Sequence, residues 1–203
     1  MTTKDSPYHR VEASKWEHTT RALIRAHPLP VDEIVEVTLG VWSDIFESGV
    51  GKKPFRIGVD LFPKPQIMGF FLHELIPLEM ARRHPGQWRG DESAAEKDVV
   101  CVRDLRFSIE IKTSSHRTRV FGNRSYTQAT SEAKKSKSGY CLAVNFEKCD
   151  RIVSRRPAIL RIRFGWLDAS DWRGQRAATG QQASLSPAVE AAKLLELFPE
   201  CDL

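Results

Sequence analysis

At Asp98 the spacing of apolar residues changes from that of helices to that of strands, and this change limits the folds open to the chain. Upstream, residues 10–26 and 31–48 carry Ala22, Leu23 and Ala26, then Ile34, Val37, Val41 and Ile45, at helical spacing, split by Pro28 and Pro30. A third helix is expected over 66–83, with Pro65 where a first turn tolerates it and an interruption or kink at Pro77. From Asp98, VVCV and FSIEIK read as two strands of a hairpin joined by the polar link RDLR. Residues 125–137 return to a polar helix that Gly139 ends, before the strands YCLAVNF and AILRIRFGWL. DWRGQRAATGQQASLSP reads as a long polar loop and 187–197 as a last amphipathic helix. Helices, a strand hairpin, a helix and further strands imply an α/β fold with a mixed sheet of four to five strands flanked by helices, behind an N-terminal helical segment.

The 203 residues, 41% hydrophobic and 28% charged, suit one folded domain over 1–203. Its expected parts are a helical 1–65, a core over 66–167, and a polar loop with a C-terminal helix over 168–203. No apolar run approaches the roughly 18 residues of a membrane span, and MTTKDSPYHR lacks the apolar stretch of a signal peptide. A cytoplasmic protein with no membrane partner is expected. Cys101, Cys141, Cys149 and Cys201 form no CxxC pair, and the six histidines are scattered, so free thiols and no zinc site are expected.

Net charge is +5, but residues 112–163 hold 13 Lys and Arg against Glu132, Glu147 and Asp150, which makes that quarter +10 and the rest −5. Such asymmetry fits a polyanionic partner, with nucleic acid the first candidate and a solvated surface the plain alternative.

In the strand FSIEIK, alternation puts Ile109 and Ile111 on one face and Glu110 and Lys112 on the other. An acid-x-lysine triplet arises by chance in a chain with 26 acids and 12 lysines, and this one holds two. In Glu132-Ala133-Lys134 the helical context separates the charges by roughly 200°. Only Glu110 and Lys112 converge, and folding the hairpin about Asp104 places Asp98 opposite Glu110. Two carboxylates within reach of one ion suit Mg²⁺, and a lysine beside them suits phosphodiester hydrolysis, which needs an activated water and compensation of charge on the phosphate. Taken alone, the triplet is better read as an exposed cross-strand ion pair worth about 0.2–1 kcal/mol.

Asp98, an 11-residue gap and Glu110-Ile111-Lys112, with a helix before the hairpin and a helix and strand after it, resemble the PD-(D/E)XK nucleases over about residues 66–165. The motif's proline is replaced by Lys97. VFGNRSYTQ, KSGYCLAVNFEK and GWLDASDWRGQRAATGQQASL most resemble small type II restriction endonucleases of the ScaI-like group. The resemblance implies a restriction-endonuclease-like core and Mg²⁺-dependent, site-specific cleavage of double-stranded DNA. It implies catalytic Asp98, Glu110 and Lys112, a metal held by Asp98, Glu110 and Ile111, and a helix glutamate, Glu74 with Glu79 as rival, assisting the metal site. His73 reads as a packing histidine.

Ser114, Ser115, His116, Arg117, Arg119, Asn123 and Arg124 follow the strand and suit phosphate or base contact. Lys134, Lys135 and Lys137 suit phosphate or a solvated face. Arg173, Gln175, Arg176, Gln181 and Gln182 in the tail loop suit base readout. A single cutting centre cannot cleave two antiparallel strands, so a homodimer at a palindromic site is expected. Trp16, Leu23, Val41, Trp42 and Phe46 could supply its contacts, with packing onto the sheet the better reading for them. A cognate DNA methyltransferase would be the functional partner. A repair or junction-cleaving nuclease of the same fold, or a DNA-binding protein whose acids are structural, are the other readings.

Overall fold

The computed structural model describes residues 6–124, 136–152, 155–175 and 180–199. Two amphipathic helices come first. α1 (Trp16–Ala26) begins after a 3-10 turn at Ala13–Lys15, so α-helix covers the last 11 residues of the expected 10–26. α2 (Val31–Glu47) buries Ile34, Val37, Val41 and Ile45, with Thr38, Trp42 and Phe46 beside them, and carries Asp32 and Glu33 in the first turn, where the helix dipole favours acids. The glycine- and proline-containing link that follows forms a short hairpin, β1 (Gly49–Val50) with β2 (Phe55–Arg56). α3 (Pro65–Arg83) starts at Pro65 as expected and buries Met68, Leu72, Ile76 and Met80. It runs through Pro77, which is buried, as one helix, so of the interruption or kink expected there the interruption does not occur.

The main sheet has six strands in the order β11-β8-β7-β5-β4-β3. β3 (Trp88–Gly90) pairs antiparallel with β4 (Val99–Cys101), and β4 pairs antiparallel with β5 (Ile109–Ser114). β5 runs parallel to β7 (Gly139–Phe146), which is antiparallel to β8 (Ile159–Leu167). The sheet is mixed, as expected, and wider than four or five strands. Both additions are short segments at its edges. β11 (Leu194–Phe198) replaces the last turn of the expected C-terminal helix: α4 (Pro187–Lys193) stops, and Leu194 and Leu195 pair with Gly165 and Phe164 of β8. Gly165 permits this approach, because a Cβ there would sit 2.0 Å from the Lys193 carbonyl oxygen. Hydrophobic burial at the sheet edge outweighs helix propensity in this segment.

The expected tail loop is also partly sheet. β9 (Arg173–Gly174) and β10 (Gln182–Ser184) join β6 (Phe121–Asn123) in a second, three-stranded sheet of order β6-β10-β9. Phe107, assigned to a strand by its alternation, lies instead in a 3-10 turn at Leu105–Phe107 whose first N–H bonds are taken up by Asp104. The helix expected over 125–137 lies outside the described residues except for Ser136 and Lys137, as do Lys134, Lys135, Arg176 and Cys201.

One core cluster joins α2 and α3 to the sheet through Ile109, Ile111, Leu142, Val144 and Phe164. A smaller one lies on the other face, where Cys141 and Ala143 meet Val120, Trp172, Ala183 and Val189. Val41, Trp42 and Phe46 are buried in the first cluster and Trp16 and Leu23 pack against it, which is the packing weighed as the better reading of these side chains. Cys101, Cys141 and Cys149 are free thiols. Among the described residues no helix is long and apolar enough to cross a membrane.

Candidate active site

β4 and β5 share one ladder position, Val99 opposite Ile109, and then part. This register sets Asp98 opposite Glu110, as folding about Asp104 requires. Where the strands part, the Ile111 N–H loses a backbone partner and donates instead to the Asp98 carboxylate at 2.5 Å. A backbone group of the strand thereby fixes one oxygen of Asp98 beside the residue pair it was expected to join.

Glu110 and Lys112 share the strand face whose in-register neighbours on β7 are Cys141 and Ala143. These side chains are small and leave room for the lysine. Lys112 Nζ donates to Glu110 Oε1 and, at 3.3 Å, to the Ile111 carbonyl oxygen. Burial disfavours the ammonium charge, and the combined attraction of Glu110 and Asp98 outweighs it, so the Lys112 pKa lies above its ordinary value. These neighbours hold Lys112 as the ammonium cation. Burial likewise pushes the Cys141 thiol up to about 12, so the sulfur facing this pair stays neutral and offers no thiolate.

α3 closes the site from the other side. Gly69 lies so near β5 that a Cβ would come within 2.5 Å of Thr113 Oγ1. One turn on, His73 Nδ1 stands 3.6 Å from Asp98 Oδ2. The expected helix residue, Glu74, is exposed, one step round the helix from His73, and Glu79 is bound to Arg82 and Arg83. His73, set aside as a packing residue, is thus the α3 side chain placed against Asp98. No sequence signal singles it out, because the side of α3 that faces β5 is set by packing, here by the approach of Gly69 to Thr113.

The loop after β5 is braced from behind. Ser114 Oγ accepts the His116 N–H, and His116 Nδ1 accepts the N–H groups of Thr118 and Arg119, so this imidazole shapes the turn. Asn145 of β7 donates to the carbonyls of His116 and Arg119. Arg163 of β8, 4% exposed, binds Asn145 Oδ1, the Thr118 carbonyl and Glu190 of α4, and Glu190 accepts the Val120 N–H. No motif in the sequence announces this buried network.

Arg117 and Arg119 stand exposed on that loop, with Arg119 over the Phe121 ring. Arg124 is built into the small sheet, donating its N–H to Gln181 and its guanidinium to Gly180. Asn123, Arg173, Gln175, Gln181 and Gln182 are exposed, and Lys137 is half-buried. A groove of about 590 Å³ runs from α3 to the small sheet and is lined by His73, Thr113, Ser114, Ser115, Asn123 and Gln182, among others. Ser114, Ser115, Asn123 and Gln182, expected to contact DNA, thus share one groove with His73, whose ring stands against Asp98.

The profile of the ScaI restriction endonuclease family matches residues 6–198. The chain is 46% identical over 196 residues to the type II restriction enzyme ScaI of Streptomyces caespitosus, which spans 96% of this chain and 86% of that protein. No solved structure matches it.

Proposed function

This chain belongs to the ScaI restriction endonuclease family, and on that premise we propose that it hydrolyses both strands of double-stranded DNA at a short palindromic site, through Asp98, Glu110 and Lys112 with Mg²⁺. The observation that carries the assignment is the seat of Asp98: its carboxylate is held on the Ile111 N–H, in the register that sets it opposite Glu110, at the one point where β4 leaves β5. Family membership makes the chain a restriction enzyme rather than a binder with structural acids, and nothing in the site favours a repair or junction substrate.

The donors suit a hard cation. Asp98 and Glu110 offer carboxylate oxygens, Ile111 can offer only its carbonyl, and the adjacent Cys141 remains a thiol. When bound, Mg²⁺ would offset charge on the phosphate and make a water more acidic. The chain's own part begins with substrate binding: Arg117 and Arg119 supply positive charge to the backbone beside the groove. Lys112, kept protonated by its carboxylate neighbours, stabilises the negative charge that builds on the phosphate oxygens as water attacks phosphorus and the P–O ester bond breaks. Asp98 is kept in place by the Ile111 N–H and has His73 against its Oδ2. Two such centres are needed for two strands, so a homodimer on DNA is part of the proposal. A DNA methyltransferase that protects the host's sites and a cytoplasmic location complete it.

Incubating the purified protein with plasmid DNA and Mg²⁺ should give discrete fragments. Asp98→Ala, Glu110→Ala and Lys112→Ala should each slow cleavage by at least about 100-fold while retaining measurable DNA binding. Near wild-type cutting by Glu110→Ala or Lys112→Ala would remove those residues from the catalytic group.

A further inference from the structure

The small sheet sets three carboxamides in one line. Asn123 lies directly opposite Gln182 across the antiparallel β6–β10 pair. Gln175, one residue beyond β9, donates its backbone N–H to the Gln182 carbonyl at 3.0 Å and its side-chain amide to Gln182 Oε1 at 3.3 Å. Directly opposed residues share a face, and the two-residue period puts Gly122 and Ala183 on the other face, where both are buried in the cluster around Trp172. The amides therefore stand together on the outer face, and all three residues are exposed. Among the described residues the Asn123 amide has no hydrogen-bond partner.

Asn123 and Gln182 border the same groove as His73, which stands against Asp98. A duplex seated in this groove would meet the outer face of the small sheet. Uncharged amides are poor phosphate ligands beside the available arginines, whereas a carboxamide pairs donor and acceptor with adenine N6 and N7 in the major groove. In the adjacent row, Arg173 lies opposite Ser184, which lies opposite Phe121, and the arginine brings a cation to the flank. We propose that Asn123, Gln182 and Gln175 are specificity-determining residues that read adenine edges in the major groove of the substrate. The inference rests on the DNA-cleaving reading above.

The test begins with the recognised site, mapped from the fragments that the wild-type protein releases. Duplexes carrying that site are then made with each adenine in turn replaced by 7-deazaadenine, which lacks the N7 acceptor. Single-turnover cleavage is measured for the wild type and for Asn123→Ala, Gln182→Ala and Gln175→Ala. The wild type should lose roughly 5- to 150-fold on replacement of one adenine per half-site. The variant facing that adenine should be slow on the natural site and lose nothing more on the modified one. Thermal unfolding midpoints should stay unchanged, because the side chains are exposed. Variants that slow cutting of every duplex by one factor, or that keep the full penalty for each modified adenine, would overturn the assignment. A wild type that cuts no DNA would instead overturn the cleavage reading itself.

Discussion

Four side chains and one backbone N–H make the proposed cutting edge, and they differed in how far they could be read from the sequence. Asp98, Glu110 and Lys112 were legible because strand alternation and the symmetry of the hairpin about Asp104 fix their relative places. The structure shows that register in the pairing of Val99 with Ile109. His73 was not legible: choosing between neighbouring residues of a helix needs its rotation to within 100°, which is set by packing, here by the approach of Gly69 to Thr113. Standing 3.6 Å from Asp98, His73 is placed to position that carboxylate, which gives a prediction. His73→Ala should slow single-turnover cleavage by roughly 10- to 100-fold, the usual cost of losing a partner of a metal ligand, and should raise the Mg²⁺ concentration needed for half-maximal rate. An unchanged Mg²⁺ requirement would return His73 to a packing role. Glu74→Gln, exposed beside it, supplies the comparison.

At the scale of elements, the long periodic segments were readable and the short ones were not. α2, α3, β7 and β8 bury enough regularly spaced apolar residues to declare themselves. β3, β9 and β10 have two or three residues each, too few for a period, and exist only because a neighbouring strand holds them. β11 looked helical because Leu194, Leu195 and Leu197 fit either period; pairing with β8 decided it. α3 also carries a testable charge network near its C-terminus. Hydrogen bonds from Arg82 and Arg83 hold the Glu79 carboxyl down at about 2. A depressed carboxyl adds stability above its unfolded value of 4.5 and loses it as pH falls through the folded value, so this increment is present at pH 7 and gone near pH 2. Its solvent contact limits it to about 1 kcal/mol or less. Glu79→Gln should unfold at a lower temperature than wild type at pH 7, and the gap should close on acidification. A gap independent of pH would mean that shape, not charge, is responsible.

At the scale of the whole molecule, charge and symmetry give two further expectations. Residues 112–163, at +10, include the loop after β5 and its arginines. If the protein contacts 6–10 phosphates, affinity should fall by about 10³–10⁵ between 50 and 200 mM salt, as counterions are released. A flat salt titration would show that this charge does not face DNA. Light scattering of the Asp98→Ala protein on its site should find two chains per duplex; one chain would mean that the strands are cut in succession. The last point concerns the parallel pairing of β5 with β7. Parallel neighbours cannot be joined by a tight turn and need a crossover of a dozen residues or more, and the crossover here is the segment that carries β6 and the amide of Asn123. Topology thus obliges the chain to leave the sheet at the end of β5 and return, and the detour supplies one edge strand of the small sheet, which β10 and β9 complete from beyond β8. Changes in the detour leave the pairing of β5 with β7 in place, so the amide at 123 can vary independently of the strand that carries Glu110 and Lys112.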